Sequence, residues 1–344
     1  MAFATFRSRA VLLFAALSCA APASAQDMNI ALSRLRLDNS AGNVCASAGG
    51  RRPRFCPDED AYRSVMTQFA GAMIPPVLTP AGTRGVRGIY VGFETWITGI
   101  QNGDPDWHRA VEGDGLDWSA MRPDAPSRFV DPVLAWGRLN VRKGLPFGFE
   151  LGTNIGYLAN TTYWTLGAEV RWALFEGFRD GVGWIPDLAV RGAVQTLVGD
   201  GEFNVTVPSI DVILSEPFVL ANSVEIVPWV VGQVAFPFVD SELVDLTPET
   251  SGFTACNPDP LTENSGGLVC RGDGSELDEN VVFPSLRSTR WRLGAGLQIR
   301  YEWFTILGAF MFDLVKPGDS YADPSVPARV DRQWQVDLAA GLTL

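Results

Sequence analysis

Histidine is the side chain best matched to acid–base chemistry near neutral pH, and this 344-residue sequence contains one. His108 lies in Gly103-Asp104-Pro105-Asp106-Trp107-His108-Arg109. Neither Ser209 nor Ser215 has an evident partner, and neither a phosphate loop nor a dinucleotide fingerprint occurs. A solvent-exposed bystander is a simpler reading of His108 than a general base. The run Asp273, Glu276, Asp278, Glu279 offers oxygen ligands for a hard cation such as calcium. It completes no EF-hand, and a solvated acidic face is simpler. No catalytic residue, metal or cofactor is assigned, and the sequence is read as non-enzymatic.

The cysteines bear on compartment. Residues 1–25 read as a signal peptide: Arg7 and Arg9 precede the apolar run Val11–Leu17, and Ala23-Ser24-Ala25 supplies a small-x-small cleavage site before Gln26. The apolar part is too short for an anchoring helix, and a lipoprotein signal at Cys19 is disfavoured by Ala16, where a large aliphatic belongs. Cleavage leaves two local pairs, Cys45 with Cys56 and Cys256 with Cys270. Export favours disulfides. Zinc is the rival, but neither pair has the short spacing of a structural zinc site. Removing Arg7 and Arg9 from 27 basic residues leaves 25 against 39 acidic ones, a net charge of −14. Nucleic acid is therefore not an expected partner.

Two regions follow the signal. Residues 26–87 form an N-terminal periplasmic or plug segment. Within it Tyr62, Val65, Met66, Phe69 and Met73 recur at helical spacing, with Asp58 and Glu59 at the start and Pro75-Pro76 at the end. From residue 88 the period changes to two. Strands are predicted at 88–100, 132–142, 146–157, 163–174, 187–198, 203–214, 222–236, 289–301, 303–315 and 332–344. In the fourth, Trp164, Leu166, Ala168, Val170 and Trp172 stand opposite Glu169 and Arg171; in the last, Trp334, Val336, Leu338 and Ala340 oppose Gln335 and Asp337.

A soluble sandwich would alternate too, but three features favour lipid. Aromatics gather at the ends of the apolar faces (Phe147 and Tyr157, Trp164 and Trp172, Trp291 and Tyr301), as in the two girdles of a membrane barrel. Glycines such as Gly148, Gly152, Gly156, Gly294 and Gly296 share the opposite face, where small residues relieve crowding. The connections also alternate, with 101–131, 237–288 and 316–331 long on one side and only short turns on the other. After the signal no unbroken apolar stretch is long enough for a membrane helix, so a spanning chain must close into a barrel. The expected fold is all-β: a transmembrane antiparallel barrel of about ten strands over residues 88–344, eight or twelve being the alternatives, with a short N-terminal helical segment.

With this pattern the chain resembles Gram-negative outer-membrane β-barrel proteins, a broad porin-like class, over roughly residues 88–344. Its final strand, Gln333 to Leu344, resembles the terminal strand by which that class is recognised by the barrel-assembly machinery, although it closes on Leu344 rather than an aromatic. The N-terminal helix is similar to the hatch of long-chain fatty-acid channels, which have more strands. The resemblance implies outer-membrane lipid and lipopolysaccharide as surroundings and the assembly machinery as a partner in biogenesis; a monomer is the default.

The inward face carries the functional signal. Its charges are Arg138, Arg142, Glu150, Glu169, Arg171, Arg191, Glu225, Arg292, Arg300 and Asp337, with Asn154, Gln195, Gln233 and Gln298 among them. In a confined interior they must be paired or hydrated. They either lock a solid barrel or line a narrow wet path. The leading expectation is a passive channel for a small solute, apolar ones included, restricted by residues 26–87 and the long loops. The alternative is a non-transporting structural or adhesive barrel whose loops bind a partner. The acidic loop 237–288 and the aromatics Trp107, Trp118 and Phe129 of 101–131 serve either reading: exposed they suit contact with lipopolysaccharide or protein, buried they make a lid. Intact mass before and after reduction checks the covalent expectations; the exported chain should lack residues 1–25 and gain the hydrogens of two disulfides on reduction.

Overall fold

The computed structural model describes residues 28–39, 53–111, 130–175, 186–220, 224–248, 255–258, 268–271, 279–319 and 323–344. Residues 1–25, read above as a signal, and Cys45, Trp118, Phe129, Asp273, Glu276 and Asp278 lie outside them.

Ten long strands form the wall: β1 (Ile89–Gly99), β2 (Val133–Gly144), β3 (Phe149–Leu158), β4 (Trp164–Phe175), β5 (Asp187–Val198), β6 (Phe203–Ser215), β7 (Val224–Ala235), β8 (Arg290–Tyr301), β9 (Phe304–Asp313) and β10 (Trp334–Thr343). Each pairs antiparallel with the next, and β10 returns to β1 through partners such as Val336 with Ile97, so the sheet is a closed barrel. Closure pairs every wall strand on both sides, which hydrocarbon demands. The segment Phe238–Ser241 continues β7 along the start of β6 beyond Pro237. The long 236–289 connection does contain a hairpin, Ala255–Pro258 with Leu268–Arg271, but it is a separate ladder, so the wall count stays at ten.

Alternation sorts the side chains. Along β4, Trp164, Leu166, Ala168, Val170 and Trp172 are exposed on the outside while Thr165, Gly167, Glu169 and Arg171 are buried within. The same holds for Trp291, Leu293, Leu297 and Ile299 on β8. A continuous apolar exterior bounded by tryptophan and tyrosine is stable against lipid and not against water, and this identifies a membrane barrel. One turn differs from expectation: Pro146–Gly148 is a tight 3-10 turn with φ of +63° at Phe147 and +74° at Gly148. That left-handed pair reverses the chain, so β3 starts only at Phe149 and Gly148 is a turn residue rather than a lumen glycine.

One rim carries the connections 145–148, 176–186, 216–223 and 302–303, the other 100–132, 159–163, 199–202, 236–289 and 314–333. Short turns mark the periplasmic rim and long loops the outer one. Helix α1 (Glu59–Ala72) is capped by Asp58, which accepts from the Ala61 amide at 3.0 Å. Every residue from Ser64 to Ala72 is buried, so the helix lies inside protein on all sides. It sits in the outer mouth. Tyr62 stacks on Phe283 with centroids 4.7 Å apart, and Phe69 packs edge-on to Tyr163 and Phe203. Ahead of it the Ile30 amide donates to the Tyr163 hydroxyl, and Arg36–Asp38 pairs with Phe55–Pro57. From Ile74 the chain descends through the lumen to the opposite rim, where Ile89 and Leu344 exchange backbone hydrogen bonds. The described part of the N-terminal segment thus fills the outer mouth and runs through the lumen.

The lipid face yields a test. Ala168 lies midway between Trp164 and Trp172, so Ala168→Arg should cost about 2–4 kcal/mol in a bilayer, the expected penalty for a midplane charge. Equilibrium unfolding from lipid vesicles measures it.

Candidate functional site

A closed antiparallel sheet carries its registers around the wall, and one register row is polar across seven strands. Glu150 of β3 faces Arg171 of β4, then Arg191 of β5, Asp211 of β6, Gln233 of β7, Arg292 of β8 and Asp313 of β9. Glu150 stands near the periplasmic start of its strand and Asp313 at the outer end of its own, so the row climbs the lumen as a spiral. This follows from strand tilt.

The row is tightly paired. Arg171 Nη2 lies 2.9 Å from Glu150, whose other oxygen is 3.1 Å from Arg84 Nη1. Arg191 donates to Asp211 and, at 2.9 Å, to Glu169. Glu169 also meets Arg142 Nε at 3.1 Å. Glu94 on β1 accepts from Arg138 Nε at 2.6 Å, Asn140 Nδ2 at 3.0 Å and Arg142. Across the lumen Arg290 bonds Asp313 at 2.7 Å, Arg292 bonds Gln335 at 2.9 Å, and Gln335 donates to Asp337. Seven buried guanidiniums (Arg84, Arg138, Arg142, Arg171, Arg191, Arg290, Arg292) face six buried carboxylates (Glu94, Glu150, Glu169, Asp211, Asp313, Asp337). Near-neutrality is what burial requires.

The guanidinium donors left over hold the descending chain, residues 74–82, which we term the strap. Arg191 donates to the carbonyls of Pro76 (2.9 Å) and Pro75 (3.3 Å), and Gln233 also reaches Pro75 at 3.0 Å. Arg142 donates to Leu78 at 3.1 Å, and Arg171 to Pro80 and the Thr79 hydroxyl. Arginine has donors only, and proline has a carbonyl without an N–H. Three prolines among residues 75–80 thus give an acceptor-rich backbone opposite a donor-rich wall. The strap's side chains point elsewhere: Val77, Leu78 and Ala81 belong to a second apolar cluster with Ile213, Trp229, Val231, Leu307 and Met311. Its oxygens meet polar side chains of β2, β4, β5 and β7, and its methyl groups meet apolar ones of β6, β7 and β9.

At the outer mouth Arg109 joins Asp58, the α1 cap, at 2.8 Å and Asp106 at 2.9 Å, while Arg329 of the 314–333 loop binds Asp106 and the carbonyl of Asp60. Burial works against the charge on both arginines, but hydrogen bonds to these aspartates outweigh it and raise their pKa values. Trp107, on helix α2 (Pro105–Ala110), is fully buried in the apolar cluster of the outer mouth. His108, on the same helix, is partly exposed. Below the strap, at the periplasmic rim, lies a cavity of about 280 Å³ lined by Thr79, Arg84, Ser215, Gln298, Thr305 and Arg300.

Of the expected lumen residues, Arg138, Arg142, Glu150, Glu169, Arg171, Arg191, Arg292 and Asp337 are buried inside the barrel. Glu225 and Arg300 are not in the central lumen; they pair with each other at the cavity, and Arg300 is 39% exposed. Of the acidic run 273–279, only Glu279 lies within the described residues. It is buried, and Oε1 accepts from the amides of Arg54 and Phe55, tying the acidic loop to the plug. Cys256 stands directly opposite Cys270 in its hairpin, while Cys56 is buried in the Phe55–Pro57 strand. Among the described residues no group of three or more His, Cys, Asp or Glu is placed to hold a metal. Glu94, Asp211, Asp313 and Arg290 were missed, although Glu94 shares its face with Tyr90, Gly92 and Trp96 in plain alternation. Arg84 had no such signal, because it lies on an irregular stretch.

The exterior belt, closed wall and two unlike rims together decide the class. The fold is that of an outer-membrane β-barrel. No protein-family model and no curated protein matches the chain. Among solved structures, the N-terminal β-barrel domain of Pseudomonas aeruginosa OprF aligns over 74% of this chain and 97% of its own, at 10% identity and a TM-score of 0.25. The attachment invasion locus protein Ail of Yersinia pestis aligns over 75% and 97%, at 10% identity and 0.24. The translocator domain of the autotransporter NalP from Neisseria meningitidis covers 82% and 96%, at 10% identity and 0.29. Superpositions this loose transfer no role, so function is argued from this barrel's own geometry.

Glu94 tests the network. Glu94→Gln leaves Arg138 and Arg142 without their shared charge and should cost about 3–5 kcal/mol, the expected loss for breaking a buried pair. Pairing it with Arg138→Met should recover part of that loss in the same unfolding measurement.

Proposed function

We propose that the barrel is a passive outer-membrane pore for a small polar solute, held shut by its own N-terminal segment. The supporting observation is how the lumen is filled. Residues 74–87 belong to no sheet, and the strap is gripped through its carbonyl oxygens by polar side chains of a wall that remains closed without it. A barrel that is merely solid fills its interior with wall side chains; this one fills it with a separate length of chain joined to the wall at Ile89. The ionic lining suits a polar solute better than an apolar one. In this reading the two cysteine pairs are disulfides that staple the plug and the acidic loop, and β10 is the strand presented to the assembly machinery.

The second reading, a non-transporting barrel with recognition loops, draws on the outer mouth. There Tyr62, Phe69, Trp96, Trp136, Tyr163 and Phe203 form part of one buried apolar cluster, the packing of a permanent cap. Single-channel conductance in planar bilayers separates the two. The full-length mature chain should be mostly silent, and a version lacking residues 26–87, shown to be folded by heat-shifted electrophoretic mobility, should conduct steadily. Silence from both folded forms would hand the case to the capped barrel.

A further inference from the structure

We infer that the arginine-bearing spiral is an oxyanion-binding path, that the strap carbonyls occupy the positions a solute's oxygens take, and that the pore therefore favours small carboxylates over cations. This rests on the pore reading above. Three observations carry it.

The first is the chemistry of the grip. Arg142, Arg171, Arg191 and Gln233 together hold five oxygens of residues 75–80: four carbonyls and the Thr79 hydroxyl. All five accept from nitrogen donors, and a carboxylate offers the same acceptor geometry with a full charge and a fork that matches guanidinium.

The second is continuity. The register row runs from Glu150 at the periplasmic end to Asp313 at the outer end, with Arg171, Arg191, Asp211, Gln233 and Arg292 between them. Donors stand on adjacent strands at Arg171 and Arg191 and again at Gln233 and Arg292, and the carboxylate between the two pairs, Asp211, is itself held by Arg191, so an anion has several sites in sequence, the multi-site condition for conduction.

The third is the charge balance. The whole sequence has a net charge of −12, yet the lumen holds seven buried guanidiniums against six carboxylates. Displacing the strap removes acceptors and no wall charge, apart from Arg84 at its foot. The wall's remaining six arginines then balance its six carboxylates. Glu94 and Glu169 stay clamped by two arginines each, while Arg171 and Arg191 present the nitrogens that had bonded the strap. A low-dielectric wall strengthens their pull on an anion.

The test uses the full-length chain and the same chain carrying Gly71→Val. Gly71 sits where any added side chain would run into Gln333 and Arg290, so the substitution loosens the plug without changing charge. Reversal potentials are recorded in a KCl gradient, and succinate is then added to the side facing the short turns. The expected result is open events, more frequent in Gly71→Val, that favour chloride and are blocked by succinate. In the same background Arg191→Gln should lower the chloride preference several-fold and weaken the block. Open events with cation preference and no succinate block would overturn the oxyanion path while leaving the pore intact. Absence of open events in both chains, and in the version lacking residues 26–87, would overturn the pore and the path together.

Discussion

The structure depends on arginines that must satisfy two partners at once. A guanidinium has five donors, and a neighbouring carboxylate uses only some of them. In a narrow lumen the rest need oxygens from somewhere, because an unsatisfied buried donor is expensive. For Arg142, Arg171 and Arg191, carbonyls of residues 75–80 supply some of them. The demand explains why the strap is proline-rich: a proline carbonyl brings an acceptor without adding an N–H that would itself need a partner. It also explains why so many charges can be buried without a matching surplus of acids.

That double duty divides the barrel into two unlike walls. Strands β3 to β6 carry most of the ionic row, while Trp229, Val231, Leu307 and Met311 on β7 to β9, with Ile213 on β6, form an apolar cluster against the strap. The strap fits between them because an extended chain presents oxygens and side chains in different directions. Glycine keeps the apolar wall from overfilling: a Cβ at Gly296 would run into the Trp229 ring. Above both walls, α1 and the long loops close the outer mouth with aromatic packing, reinforced by arginines that bridge Asp58 and Asp106.

Most of the wall was legible in the sequence because a strand exposed to lipid on one face and to a polar lumen on the other obeys a strict period of two. Runs such as Trp164 to Trp172 admit one register, and α1 was legible from its cap and its apolar spacing. The plug's position was not legible, since helical periodicity says which face is apolar but not whether the opposite face meets water or protein. The buried tryptophans Trp96, Trp136 and Trp229 were also hidden, because an inward aromatic and a girdle aromatic look alike one residue at a time. Long-range register was equally invisible: that Glu150 and Asp313 belong to one row depends on the tilt of seven strands, which no local pattern encodes.

The strap also fixes a threaded path. Residues that dock at the outer mouth precede, in the chain, a strand that starts at the opposite rim, so the polypeptide crosses the ring formed by its own later part. Helix α1 acquires Tyr163, Phe203 and Phe283 as neighbours only once it stands at the far side of that ring. A chain seated at the outer mouth and tethered at the opposite rim therefore lies inside the closed sheet it belongs to, a threaded topology in which plug and seam share one covalent tether at Ile89.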